Sequence, residues 1–283
     1  MKTQFLIIAI ISLTLFTSCS TETMEESGDR RNLVHKEYVR DNYNLEYRYN
    51  ESDLLVQIND IFLEEDINSV INFKYDSNNN VIENTYRSLI SGYESVTLYQ
   101  YDNQGRLVSS EMTSNVEYIG PTSLKFSYDQ DIITVTSNND EIISLKVNSS
   151  GLISEMFKYG SKSTFAYDAH GNLIQIQTYS PENVLEYTHS YTYDDKLNPF
   201  YGQLNSIYLI QFLDIMGDLS YGEDLLFPYQ GYEFSYLNNN ITEVKSNGEI
   251  HGTWSYEYDG KNYPVQVQGN RRSNIFTFDI LYK

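Results

Sequence analysis

Tyrosine is the residue type in this sequence with the most recognition chemistry. The 283-residue chain holds 27 tyrosines, many of them beside Asp or Asn. Tyrosine rings pack well on sugar rings while the neighbouring polar groups hydrogen-bond hydroxyls, which is the chemistry of glycan recognition. Most of these rings belong to a repeated strand pattern and are explained by a cross-strand aromatic ladder. Four tyrosines outside the repeat have no place in that ladder: Tyr201, Tyr208, Tyr221 and Tyr229. We predict that they bind a neutral glycan.

The sequence lacks the common catalytic and metal-binding motifs. The sequence has no His-Glu-x-x-His motif, no glycine-rich phosphate loop and no Gly-x-Ser-x-Gly elbow. We therefore predict a protein that is not an enzyme and needs neither metal nor cofactor. A glycosidase needs only two suitably spaced carboxylates, and the chain has 39 acidic residues. A carbohydrate-active enzyme therefore stays open as the less favoured alternative.

The single cysteine, Cys19, ends an N-terminal apolar segment. Lys2 precedes an apolar run from Phe5 to Phe16, and two small residues then lead to the cysteine. A positive start, a short apolar core and small residues before a cleavage point are typical of a signal peptide and not of a membrane span. We predict that residues 1–18 are a lipoprotein signal peptide and that Cys19 is the lipid-attachment site. An ordinary secretory signal with an incidental cysteine is the alternative.

Residues 19–33 and the overall charge restrict the partners. This stretch is polar, acidic and without hydrophobic pattern, which predicts a flexible tether. The formal net charge is −20. Nucleic-acid binding requires a basic patch, so nucleic acid is excluded, and anionic polymers and anionic lipid surfaces are poor partners for the same reason. We therefore predict that the protein contacts the membrane only through its lipid anchor.

A short pattern recurs along the rest of the chain: an aromatic, any residue, a second aromatic, then Asp or Asn. Clear copies begin at Tyr47, Phe73, Tyr99, Phe126, Phe165, Tyr191 and Tyr256, and weaker ones at Leu145, Phe234 and Phe276. Aromatics two residues apart point to one face of a strand, and the mostly polar residues between them point to the other. Asp or Asn then ends the strand, and glycines such as Gly105 and Gly171 supply the positive φ of a short hairpin loop. Each copy predicts one β-hairpin arm.

The spacing of the copies predicts a meander. Four steps between copies are 26 or 27 residues long, which is enough for two strands of about ten residues and two turns. Between Tyr128 and Tyr167 the steps shorten to 19 and 20 residues, so shorter strands are expected there. Ten copies imply about twenty strands, and fewer where a copy is degenerate. Residues 34–283 are therefore predicted to form one all-β domain, a long antiparallel meander of repeated hairpins.

The Tyr-Asp-x-x-Gly-x-Leu segments at Tyr101 and Tyr167 resemble the YD repeats of Rhs and teneurin proteins. Over residues 34–283 the chain is more similar to a group of Bacteroidetes lipoproteins assigned to a domain of unknown function with a porin-like fold. Segments beginning at Tyr193 and Phe234 resemble late landmarks of that group. The resemblance implies a closed, porin-like barrel of roughly 16 to 20 strands. An Rhs-like spiral β-sheet shell is the alternative, and no activity is implied.

One segment, near residues 200–231, interrupts the repeat. From Ser206 to Gly217 its apolar residues fall at near-helical spacing, and Gly217 is a plausible stop. We predict a short helix or ordered loop that packs as a plug or cap on one end of the sheet. A ligand-gating element is the alternative.

The side chains on the strand faces distinguish a barrel that is only tethered to the membrane from one that spans it. A spanning barrel needs a continuous outward apolar band about 25 Å tall, whereas these strands carry many Lys, Glu, Asn, Ser and Gln residues. We therefore predict a lipid-anchored outer-membrane protein facing the cell exterior, with the periplasmic side as the alternative. Its predicted role is a binding or structural module. A membrane-spanning porin-like pore remains the alternative function.

Overall fold

The structure, a computed structural model, describes residues 32–40, 43–62, 67–116, 121–138, 141–216, 232, 235–271 and 274–283. In these residues eighteen antiparallel strands each pair with the next in sequence, and the last pairs with the first. The sheet is therefore a closed meander barrel. The predictions of an all-β fold, of a closed barrel and of 16 to 20 strands are confirmed, and the spiral shell is not observed.

The strands are β1 (Val34–Arg40), β2 (Tyr43–Tyr49), β3 (Leu55–Phe62), β4 (Ile67–Tyr75), β5 (Val81–Ser88), β6 (Glu94–Tyr101), β7 (Leu107–Ser114), β8 (Thr122–Asp129), β9 (Ile132–Ser137), β10 (Ile142–Val147), β11 (Ile153–Lys158), β12 (Ser161–Tyr167), β13 (Leu173–Tyr179), β14 (Leu185–Leu197), β15 (Asn239–Ser246), β16 (Glu249–Tyr258), β17 (Pro264–Arg271) and β18 (Asn274–Tyr282). A 3₁₀ turn, Asn205–Ile207, and one helix, α1 (Tyr208–Met216), lie between β14 and β15. Strands β9, β10 and β11 have six residues each, as the short repeat steps predict.

The two faces of the sheet differ as the repeat predicts. In six of the seven clear copies the first aromatic is buried inside the barrel: Tyr47, Phe73, Tyr99, Phe126, Phe165 and Tyr191. The residue that follows it is exposed on the outer face: Arg48, Lys74, Gln100, Ser127, Ala166 and Thr192. Since successive side chains alternate across a strand, the apolar core lies in the lumen, and the outer wall carries polar residues together with some exposed apolar ones such as Leu98 and Phe157.

The loops after β2, β4, β6, β10, β12 and β16 share one turn geometry. In the loop after β6, the Asp102 carboxylate accepts the N–H groups of Gln104 and Arg106 at 2.9 and 3.0 Å, and Gly105 has φ +76°. The same side-chain bonds recur at Asn50, Asp76, Asn148, Asp168 and Asp259. We call this end of the barrel the Asx end. The predicted strand-ending role of Asp and Asn is confirmed.

A β-bulge accompanies these turns. Tyr49 pairs with Leu55 while Arg48 pairs with Gln57, so Val56 has no direct opposite. The same register shift occurs beside Tyr75, Tyr101, Val147, Tyr167 and Tyr258. A bulge removes a pair of ladder hydrogen bonds, so the first residue of the next strand must bond elsewhere.

One predicted strand differs in the structure, and the predicted N-terminal features lie outside the described residues. Phe234 was expected to begin a strand copy, but Ser235 to Leu237 form a turn and β15 begins only at Asn239. This copy is degenerate because Tyr236 packs inside the barrel on Tyr208 instead of joining the sheet. The predicted signal peptide, Cys19 and most of the tether lie outside the described residues, and so does Gly217. No helix in the described ranges is long and apolar enough to cross a membrane.

Candidate functional site

The segment after β14 enters the lumen at the Asx end and is held there by bulge residues. The N–H of Leu55 donates to Gln203 Oε1 at 3.0 Å, and the N–H of Val81 donates to Ser206 Oγ at 2.9 Å. Each bond satisfies a backbone group that the bulge has freed from the sheet. The segment is therefore attached to the wall through defined hydrogen bonds as well as through packing. We call residues 198–216 the plug.

The carbonyls of the strand-starting residues are satisfied by tyrosines. In five copies the second aromatic reaches across to the first residue of the preceding strand, and its O–H donates to that residue's C=O. Tyr282, which follows the last copy, makes the same bond. The pairs are Tyr75 to Leu55, Tyr101 to Val81, Tyr128 to Leu107, Tyr167 to Ile153, Tyr193 to Leu173 and Tyr282 to Pro264, at 2.6–2.8 Å. We call these residues the tyrosine belt. Burial raises the pKa of the belt hydroxyl of Tyr101 to about 12, so it stays a donor at neutral pH.

Helix α1 packs along its apolar face inside the barrel. Phe212 and Met216 are fully buried, and the Phe212 ring meets the Phe165 ring of β12 at 5.0 Å. Near the Asx end, the Phe200 ring of the plug packs on Tyr47 at 4.9 Å. The predicted short helix and its plug-like packing on apolar side chains are confirmed for the described residues.

A cavity of about 340 Å³ lies between α1 and the β4–β6 wall. Its lining is mostly apolar, with a few polar groups, which is the usual make-up of a small-molecule site. The lining residues are Ile71, Phe73, Asn84, Tyr99, Leu204, Ile207, Ile210, Gln211, Asp214, Ile215 and Tyr232. This cavity is the candidate functional site.

Asp214 is the charged group of the cavity. Its side chain is reached by solvent, although the protein around the cavity partly desolvates the carboxyl group. Burial raises the pKa of the Asp214 carboxyl to about 6. Desolvation is the only cause of this shift, and no salt bridge in the described part of the chain includes Asp214.

The cavity also has polar groups on Asn84, Tyr99 and Gln211. Asn84 lies next to the Tyr99 hydroxyl, and its Oδ1 is buried without a partner. Gln211 donates through Nε2 to the Tyr232 carbonyl at 2.9 Å. Burial raises the pKa of Tyr99, so its hydroxyl is neutral and keeps its O–H donor. The cavity therefore offers a carboxylate, an amide oxygen and a phenol hydroxyl to whatever enters it.

The structure places two of the four tyrosines that the sequence predicts as ligand-binding. Tyr201 lies at the Asx end and is 38% exposed. Tyr208 opens α1, where its ring packs on Phe212 and Tyr236 and its hydroxyl lies 3.5 Å from the Ile153 N–H. Neither lines the cavity. Tyr221 and Tyr229 lie outside the described residues, so all four remain predictions.

Sequence reasoning did not single out the residues that line the cavity. Asp214 carried a usable signal, because it is the one charged residue in the α1 sequence. Asn84 and Tyr99 carried none, since they occupy ordinary inward positions on β5 and β6 and become neighbours only when the plug lies against them. The described part of the chain contains no group of three or more His, Cys, Asp or Glu side chains that could hold a metal ion.

Comparisons with known proteins give similarity only among solved structures. No protein-family model matches the chain, and no curated protein matches it significantly. The chain is similar to a porin-like protein from Bacteroides uniformis, with 14% identity over 88% of this chain and 98% of that one and a TM-score of 0.45. A porin-like protein from Bacteroides vulgatus gives 12% identity, coverages of 89% and 99% and a TM-score of 0.41. A Photorhabdus luminescens Tc holotoxin pore gives 14% identity over 83% of this chain and 14% of that chain, with a TM-score of 0.26.

Proposed function

We propose that the protein is a lipid-anchored outer-membrane module, facing the cell exterior, whose barrel stays in water and binds a small ligand without chemical turnover. The observation that carries this proposal is the solvent-connected cavity beside α1, framed by a rigid barrel and a hydrogen-bonded plug. A site built on packed elements holds its shape before the ligand arrives, which favours binding.

The outer wall supports a barrel in water rather than in lipid. Ion pairs cross neighbouring strands on this face: Lys36–Glu46, Lys74–Glu83, Arg87–Glu94, Lys146–Glu155 and Lys162–Glu155. Placing a Lys or Arg on the lipid-facing wall of a barrel costs about 2–4 kcal/mol at the bilayer midplane and about 0–1 kcal/mol near its rims. The five pairs therefore oppose insertion by an amount that depends on their depth, whereas in water they are ordinary solvated pairs.

Anchoring is tested by Cys19→Ala in the full chain. We expect the variant to leave the membrane fraction and to be recovered in buffer without detergent. Ser18→Ala, which keeps the cysteine, is the control and should remain membrane-bound. A Cys19→Ala protein that still needs detergent for extraction would favour the spanning pore.

Ligand binding is tested on the detergent-free Cys19→Ala protein with a glycan array. The charge of −20 disfavours polyanions, so any bound glycan is expected to be neutral or cationic. Tyr201→Ala tests the exposed ring at the Asx end, and Ile210→Trp fills the cavity from α1. Loss of binding in only one of the two variants shows whether the glycan binds at the Asx end or in the cavity. Binding confined to sulfated or uronate-rich glycans would contradict the charge argument.

A further inference from the structure

We propose that the cavity beside α1 receives a small organic cation, an ammonium group on an apolar body, with Asp214 as its counter-ion. This inference rests on the proposed binding function and adds the ligand class. It concerns the lumen and not the four tyrosines predicted from the sequence.

The first argument is that the protein supplies no cation to Asp214. The sequence from residue 197 to residue 244, which includes the plug, contains no Lys, Arg or His. The basic residues of the wall strands β4–β6 are Lys74 and Arg87. Both lie on the outer face, where Lys74 binds Glu83 at 2.7 Å and Arg87 binds Glu94 at 2.8 Å. An ion pair for Asp214 therefore has to come from a bound molecule.

The second argument is the chemistry of the lining. Asn84 Oδ1 and the Asp214 carboxylate are acceptors without a donor among the described residues, and an ammonium group carries three N–H donors. The rings of Phe73, Tyr99 and Tyr232 line the same space, and aromatic rings attract cations electrostatically. Isoleucines and a leucine make up the rest, which suits an apolar body.

The third argument is the cost of leaving the site empty. Partial desolvation without an ion-pair partner makes the charged form of Asp214 less favourable, as its raised pKa indicates. The other titratable groups that line the cavity are Tyr99 and Tyr232. Neither carries a positive charge in any protonation state. A bound ammonium group removes the penalty, so binding and ionisation of Asp214 favour each other.

The test is isothermal titration calorimetry at pH 7.5 on the full chain carrying Cys19→Ala. The probes are tyramine, phenethylamine and hexylamine, with tyrosol and 3-(4-hydroxyphenyl)propionate as the neutral and anionic analogues of tyramine. We expect the amines to bind at least tenfold more tightly than either analogue. We expect Asp214→Asn to weaken the amines at least tenfold, and Ile210→Trp to abolish binding. Asp195→Asn, which changes an exposed carboxylate on the surface, is the matched control and should bind like the parent.

The outcomes separate this inference from the proposed function. Equal binding of tyramine and tyrosol, lost in Ile210→Trp, would overturn the cation and leave the cavity as a binding site. Amine binding that survives Asp214→Asn or Ile210→Trp would overturn the assignment of the site. If no amine binds at millimolar concentration, the cation is wrong, and the glycan array decides the binding function independently. Circular dichroism of each variant establishes that a loss of binding is not a loss of fold.

Discussion

The two ends of the barrel are built from the same strands but are held together differently. At the Asx end, the first residues of strands bond to side chains from distant parts of the chain, such as Tyr101 to Val81 and Gln203 to Leu55. At the opposite end, short turns such as Asn247–Gly248, with φ +49° and +87°, join the strands, and their long-range bonds reach only an adjacent strand, as where Asn247 Oδ1 accepts the Thr188 N–H of β14 at 2.9 Å. Highly exposed apolar side chains, including Ile90 and Tyr159, also lie there.

The difference shows where the tertiary cooperativity of this fold resides. A local hairpin turn stabilises only its two strands, whereas the tyrosine belt and the plug link several strands at once. The plug contacts β2, β3, β5, β11 and β12. We therefore expect substitutions in the plug and belt to destabilise the whole barrel and matched substitutions at the opposite end to have little effect.

The largest effect is expected from Phe212→Ala. The ring is fully buried against Phe165, so its removal should lower the free energy of unfolding by about 4 kcal/mol. Urea unfolding followed by tryptophan fluorescence measures it. Phe157→Ala, on the outer face and 42% exposed, is the matched control with an expected change within about 0.5 kcal/mol. Equal effects would mean that the plug adds nothing to the barrel.

Next in size is Tyr101→Ala in the belt. We expect a loss of about 3 kcal/mol, since the ring packs on the core and its hydroxyl bonds Val81. Tyr159→Ala at the opposite end, where the ring is 75% exposed, should change stability by less than about 0.5 kcal/mol. If Tyr101→Ala is as mild as its control while ligand binding is lost, the belt is a recognition surface and not a structural ladder.

Much of the Asx end was predictable from the sequence, and the reason is that its determinants are local. The alternation at Tyr47, the turn at Asp102 and the positive φ of Gly105 depend on neighbours within a few residues. The bond between the Leu55 N–H and Gln203 was not predicted, because it joins segments 148 residues apart. The bulge at Val56 was not predicted either, because it depends on the exact register between β2 and β3. The cavity was not predicted either, although helix α1 was, because the cavity forms only where α1 packs against the distant strands β4–β6.

A smaller change isolates the hydroxyl of the belt. Tyr101→Phe keeps the ring and removes the bond to the Val81 carbonyl at 2.7 Å and the longer one to the Ser206 carbonyl at 3.4 Å. A buried carbonyl left without its donor should cost about 1 kcal/mol. Tyr187→Phe, on a half-exposed ring at the opposite end, is the control and should be neutral. A neutral Tyr101→Phe would show that ring packing alone stabilises this end.

Another effect concerns Asp214 and carries the comparison into the lumen. Because burial raises the pKa of Asp214 to about 6, the folded protein binds this proton more tightly than the unfolded chain, where an Asp has a pKa of about 3.9. The contribution of Asp214 to stability is therefore full below about pH 4 and is lost as the pH rises through about 6. Asp214→Asn has no charge to bury, so it should melt at a higher temperature than the parent above pH 6.

The readout is the difference in melting temperature between Asp214→Asn and the parent from pH 4 to pH 8. His189 is buried, and desolvation, together with the nearby His251, lowers its pKa, so its own contribution is lost as the pH falls below about 6.5. That loss is common to both proteins and cancels in the difference. We expect the difference to grow between about pH 4 and pH 6 and then to stay constant. A variant that melts below the parent at every pH would mean that Asp214 makes a favourable contact within the protein, and the cavity would then have no charge left to offer a ligand.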